Sequence, residues 1–190
     1  MNPADHLRPA ADEDVETMRQ WRNDPRVRAN MYTQHEIGEA EHRAWWERTR
    51  ASPAHRYFVA MLDGKACGVV GFSHIDPVHG HAFWAFYSAP DAPPGSGSRM
   101  EVLALDHAFG PLRLHKLCCE VLAYNQPVLR LHRKFGFDVE GIFREHYATD
   151  TGRVDVHRLA IFERDWQQRR GEIIDRLAQR KSRSATAPAR

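Results

Sequence analysis

The sequence predicts an α+β fold, a mixed and mostly antiparallel sheet of six to seven strands flanked by helices. Apolar residues alternate in three neighbouring runs that read as a meander. Strand and helix patterns then take turns after a Pro- and Gly-rich loop, and two further strand patterns close the chain. At 190 residues a single domain is expected, over 1–180. Residues 181–190 are small and basic and lack bulky apolar side chains, so they are expected to form a disordered tail.

Each element has its own signal. His6 to Arg8 is a short candidate strand. Asp12, Glu13 and Asp14 set negative charge at a helix start, and Val15, Met18 and Trp21 recur at helical spacing until Asn23-Asp24-Pro25 ends the run. Glu39 to Arg50 reads as a second amphipathic helix. Arg56 to Leu62 and Ala66 to Ile75 form strands around the hairpin signal Asp63-Gly64, and Ala82 to Ser88 is the third strand. The loop Ala89 to Gly97 opens a helix over Ser98 to Phe109. Lys116 to Tyr124 is a strand, and Pro127 sits at the first position of a helix that ends at Gly136. Phe137 to Ile142 and Val154 to Phe162 are the last strands, and Asp165 to Gln179 the last helix.

Composition narrows the function. Hydrophobic residues make up 42%, and 27 Lys+Arg against 25 Asp+Glu give a net charge of +2, so no nucleic-acid partner is expected. The longest stretch free of Asp, Glu, Lys and Arg is Pro77 to Pro90. It is short of the roughly 18 apolar residues of a membrane span, and the N-terminus shows no apolar leader. Three cysteines make neither a disulfide framework nor a CxxC motif, which points to a cytoplasmic location. Twelve His invite a metal reading, but Cys118 and Cys119 point to opposite faces of a strand and His79 and His81 flank a turn, so no metal is expected.

Gly95-Ser96-Gly97 lies between a strand and a helix. Glycines permit a tight turn there, and amides at a helix start can cradle a pyrophosphate, although a plain turn reads the same way. A later strand ends at Asn125, and the helix after it closes with Lys134-Phe135-Gly136-Phe137. These three features, in this order, resemble the GNAT superfamily of N-acetyltransferases. The resemblance implies a GNAT-like sheet splayed at the cofactor-binding strand and acetyl-CoA as cosubstrate. Backbone amides of Gly95, Ser96, Gly97 and Ser98 would take the pyrophosphate with Arg99 as an electrostatic helper. The edge Phe86 to Ser88 would bind the pantetheine arm together with Asn125, which also suits a helix cap before Pro127. The chain departs from the family at Ala92, where Gln or Arg is usual, and at Pro93 and Pro94, which lack amide donors.

The resemblance extends from Trp21 to Ile161. WRNDPRVRANMY and GEAEHRAWW are similar to the N-terminal motifs of one branch, the UDP-4-amino-4,6-dideoxy-N-acetyl-β-L-altrosamine N-acetyltransferases of pseudaminic acid biosynthesis. That branch implies acetylation of the 4-amino group of a UDP-linked amino-deoxy sugar, with Trp21, Arg22, Asn23 and Tyr32 near the acceptor. It leaves a homodimer open. Ribosomal-protein-type N-terminal or small-amine acetyltransferases share parts of these motifs, and a non-catalytic acyl-CoA-binding module is the third reading. Arg19, Arg22, Arg26 and Arg28 make the N-terminal region mixed in sign, which argues against the acidic groove that a polyamine would want.

For the proton transfers, the family's general acid is a Tyr seven residues after Asn125, and here that position is His132. An exposed His among Arg130, Arg133 and Lys134 is the alternative. Glu120 interrupts the apolar strand LCCEVLAY on the face of Cys118, Leu122 and Tyr124. It reads either as a base acting through water or as an Arg-paired carboxylate. By the branch resemblance His42 and Ser73 lie near the acceptor amine, although His42 could equally bond a backbone carbonyl.

Overall fold

The computed structural model describes residue 2 and residues 4–186, with side chains through residue 179. Seven strands form one sheet: β1 (His6–Pro9), β2 (Arg56–Leu62), β3 (Lys65–Asp76), β4 (His81–Ser88), β5 (Lys116–Leu122), β6 (Asp138–Thr149) and β7 (Gly152–Phe162). Their order is β1-β2-β3-β4-β5-β7-β6, and every neighbouring pair is antiparallel except β4 with β5. Asp63 and Gly64 both have positive φ, 52° and 78°. This is the left-handed pair that a two-residue hairpin needs to match strand twist.

The helices are α1 (Val15–Asn23), α2 (Pro25–Arg28), α3 (Glu39–Arg50), α4 (Ser96–Phe109), α5 (Gln126–Phe135) and α6 (Glu163–Thr186). α4 lays Met100, Val102, Ala104, Leu105 and Ala108 into the main core with Phe58, Val70, Phe72, Trp84 and Leu117 of the sheet. Phe135 of α5 and Trp166 of α6 close the same layer, and the Trp166 indole donates to Asp106 of α4 at 3.0 Å. Val15 and Met18 of α1 and Trp46 of α3 are also buried, and the Trp46 indole donates to Asp12. Asp24 caps α2 by accepting from the Arg26 amide.

Several boundaries differ from expectation, the largest at the last two strands and the last helix. β6 runs on to Thr149 and β7 starts at Gly152, so the pair is a long ribbon. Most of β6 is exposed on both faces, which removes the alternation that would have revealed it. α6 runs to Thr186, so positions 181 to 186 of the expected disordered tail are helical, while 187 to 190 lie outside the described residues. Among the described residues no helix is long and apolar enough to cross a membrane.

Candidate active site

Gly95, just ahead of α4, has φ +90°, a left-handed conformation that glycine adopts without Cβ strain. The Ser96 amide and hydroxyl both turn back to the Pro93 carbonyl, at 3.1 and 2.7 Å. Helix geometry then leaves the amides of Gly97 and Ser98 as outward-facing donors at the positive end of α4, a setting that fits a diphosphate. Arg99 does not join them. Its guanidinium donates to Asp5 through Nε (3.0 Å) and Nη2, and to Asp63 through Nη1 at 2.7 Å. The expected electrostatic helper is instead a tether between α4 and the first two strands, because two carboxylates on that side satisfy it.

β4 and β5 pair only over His81–Phe83 and Lys116–Cys118. Beyond that point β4 stays on β3 and β5 stays on β7, so the strands part and the Trp84–Ser88 edge faces an open V. Parallel pairing sets this up, because each strand keeps its antiparallel partner and only the parallel seam gives way. The cleft between them is about 230 Å³ and is lined by Phe86, Ser88, Cys119, Asn125, Val128 and His132, among others. Backbone amides along an unpaired edge can bond the amide groups of a pantetheine arm and polarise a thioester carbonyl. Asn125 accepts from the Val128 amide as the cap of α5, so its cap role is met by the same side chain that lines the cleft.

His132 is not an exposed helix residue. It is 3% exposed among Trp84, Phe86 and Phe137, with ring centroids 5.4, 6.1 and 5.0 Å away. Its Nδ1 lies 2.8 Å from Oε1 of Glu101, which is fully buried on α4. Burial works against the imidazolium, but the Cys119 thiol and the Glu101 carboxylate carry its pKa up to about 10. Burial likewise raises the Glu101 carboxyl, with His132 and Lys134 opposing. Sequence reasoning missed Glu101, although a carboxylate inside the apolar run Met100 to Leu105 was a signal.

A second cavity, about 790 Å³, adjoins the V and shares Trp84, Ala85, Tyr87 and Glu120 with it. Arg22, Tyr32, His42, Ser73 and Glu120 all line it, as do Glu41, Trp45, Arg48, Tyr57 and Phe83, which sequence reasoning did not single out. Glu120 accepts from Tyr32 at 2.9 Å and from Arg158 at 3.2 Å, and the Arg158 guanidinium stacks 3.8 Å over Phe83. Burial pushes the Tyr32 phenol up, with Glu120 adding to it. Glu41 is engaged by His35 at 3.0 Å. Arg22 donates through Nη2 to the Thr33 carbonyl, while its buried Nη1 has no hydrogen-bond partner among the described residues. Burial lowers the Arg22 pKa. His42 packs against Trp45 at a tilt of 35°, with ring centroids 4.8 Å apart. Its Nδ1 is unpartnered among the described residues, and its pKa is lowered first by burial and then by Arg19. It is therefore a neutral imidazole at neutral pH.

Two residues expected near the acceptor do other work. Asn23 clamps Ile37, accepting from its amide at 2.8 Å and donating to its carbonyl at 2.9 Å, which holds the loop that carries Tyr32 and Thr33. Trp21 is half-buried on α1 and is not among the residues lining the cavity, as its place in the Val15/Met18 stripe explains. Among the described residues no group of three or more His, Cys, Asp and Glu is placed to hold a metal ion.

The sequence profile of a family described as "Acetyltransferase (GNAT) domain" matches residues 6–138. The spermidine N(1)-acetyltransferase of Escherichia coli K12 is 27% identical over 161 residues, covering 84% of this chain and 87% of that protein. The acetyltransferase PseH of Campylobacter jejuni is 23% identical over 135 residues, 71% of this chain and 83% of that protein. A crystal structure of spermidine N-acetyltransferase from Vibrio cholerae, in complex with CoA and spermine, superposes with a TM-score of 0.80. It is 23% identical and covers 87% of this chain and 99% of that one, a likeness of fold.

Proposed function

The chain belongs to the GNAT acetyltransferase family and is an acetyl-CoA-dependent N-acetyltransferase; from that premise we propose that its acceptor is an anionic amine, the 4-amino group of a UDP-linked amino-deoxy sugar. The observation that carries the reading is the opened V of β4 and β5 leading into an aromatic cavity walled by Arg22 and Arg48. Of the two carboxylates in that wall, Glu120 is paired with Arg158 and Glu41 is hydrogen-bonded to the His35 ring, and Arg22 and Arg48 face the same space, so a polycation meets no net negative charge there. The buried Nη1 of Arg22, unpartnered among the described residues, suits a phosphate oxygen, and Tyr32, Trp45 and Tyr57 offer faces for a base or a deoxysugar.

When bound, acetyl-CoA supplies an activated acetyl thioester. The amides of Gly97 and Ser98 hold the diphosphate of the coenzyme, and the β4 edge with Asn125 orients its arm. Glu120, at the junction of the two cavities, takes up the amine proton through water, and neutral His42 and Ser73 accept hydrogen bonds from the acceptor. His132 returns a proton to the departing thiolate.

The test follows thiol release and product mass with acetyl-CoA and either a UDP-4-amino-4,6-dideoxy sugar or spermidine. Thiol release with the nucleotide sugar and a product 42 mass units heavier, about one acetyl group, is expected. Background release with the sugar beside brisk release with spermidine overturns the acceptor reading and leaves the family untouched.

A further inference from the structure

The first turns of α4 bury their apolar side chains against the sheet, and Glu101 sits among them at 0% exposure. An isolated carboxylate in such a place is strongly disfavoured unless a partner compensates it. The partner is His132, 2.8 Å away on α5, itself inside a box of three aromatic rings. The groups facing this pair from the surrounding elements are Cys119 of β5 and, toward Glu101, Lys134 of α5.

A lone imidazolium in that box would lose its hydration to the rings and shed its proton, and a neutral imidazole is a poor donor to a thiolate. Beside Glu101 the proton is retained. The pair has zero net charge whether the proton rests on imidazole or carboxyl, so the apolar wall of the cleft carries a proton donor without a net charge. A phenol has the same two properties, protonated at neutral pH and uncharged, and a Tyr is what the resembling family has at this position.

We propose that Glu101 and His132 act as one proton donor, with Glu101 the positioning residue that keeps the imidazole protonated and turns Nε2 toward the V. This rests on the reading of His132 as the general acid. As the C–N bond forms and the C–S bond breaks, the bonding electron pair stays on sulfur and the Nε2 proton moves to it. His132 is left neutral, with Nδ1–H still donating to Glu101. Solvent restores the Nε2 proton after the free thiol leaves.

The experiment measures kcat and KM for acetyl-CoA from pH 5.5 to 9.5 in Glu101→Gln, Glu101→Asp, His132→Phe, His132→Tyr and the double variant Glu101→Gln/His132→Tyr, with melting temperature as the check on folding. Gln keeps an oxygen for Nδ1 but removes the charge. Glu101→Gln is expected to lower kcat at pH 7.5 by about tenfold or more, up to the roughly 100-fold or greater contribution of a general acid, with KM within about twofold. Its basic limb should shift to lower pH, and Glu101→Asp should retain most of the wild-type profile. In the His132→Tyr background the same Gln substitution should cost less than about twofold. An equal loss in both backgrounds, or an unshifted basic limb, overturns the proposal and makes Glu101 merely structural. If His132→Phe keeps the full rate, the acid reading itself falls. Should Glu101→Gln fail to fold, Glu101→Met, which fills a similar volume without a charge, takes its place and is judged by the same criterion.

Discussion

The coenzyme cleft and the acceptor cavity share Trp84, Ala85, Tyr87 and Glu120 in their walls, yet they are built from different materials. The cleft is mainly backbone: a left-handed glycine, a helix start and a strand edge set free where the parallel seam ends. The cavity is side chains brought from α1, the 31–38 loop, α3 and four strands, several of them held by partners far along the chain, as Tyr32 is by Glu120. A backbone device binds the same coenzyme whatever the acceptor, whereas a side-chain wall can be re-cut for a new amine. Substitutions in the first half should therefore change all reactions alike, and those in the second should change the choice between acceptors.

The largest effect tests the shared wall. Glu120→Gln should lower kcat about 100-fold for any amine, as expected on loss of a general base, with KM for acetyl-CoA little changed. A kcat within twofold of wild type would show that the proton leaves by another route. Next, Gly95→Val forces a branched side chain into φ +90° and should raise KM for acetyl-CoA about tenfold or more, equally for the nucleotide sugar and for spermidine. Arg22→Gln should raise KM about tenfold for the nucleotide sugar only, about 1.4 kcal/mol for one charge-assisted contact. If spermidine suffers equally, Arg22 is holding the loop through Thr33 and not reading the acceptor.

Arg99→Ala divides the halves differently. The Asp5 side chain that it pairs with is fully buried, so the loss should cost about 3–5 kcal/mol and lower the melting temperature, with KM for acetyl-CoA unchanged. A raised KM without a melting shift would return Arg99 to the phosphate.

The smallest effect is in pH. Burial depresses the pKa of His42, so the unfolded chain takes that proton near pH 6.5 and the folded one only lower. Stability should fall as pH drops below about 6.5, and His42→Gln should flatten that fall. His132 runs the other way. Its folded pKa of about 10 adds stability that is full below about pH 6.5 and lost as pH rises toward 10, and His132→Tyr should flatten that limb. Melting curves from pH 5 to 10 on the two variants check both signs.

The same contrast explains what could be read in the sequence. Asp63-Gly64, Gly95, Asn125 and Gly136 act on their own neighbours, and each stands in the structure as the residue pattern says, while Pro127 falls one place later than expected because α5 opens at Gln126. The site residues that went elsewhere answer to distant partners. Arg99 finds Asp5 and Asp63 on other elements, and Asn23 finds Ile37 across a loop. Glu101 was passed over because its meaning lies in His132, 31 residues on. Local spacing carries no record of such pairs, so five residues of the acceptor wall and His132 could be named from the sequence, but their pairing, and the partnership of His132 with Glu101, could not.

The most direct measurement is a competition. An equimolar mixture of UDP-4-amino-4,6-dideoxy sugar and spermidine, with limiting acetyl-CoA, yields a product ratio by mass spectrometry that equals the ratio of their kcat/KM values. Acetylated nucleotide sugar in at least about tenfold excess, a preference lost in Arg22→Gln, is the predicted result. Acetylspermidine as the main product would contradict it.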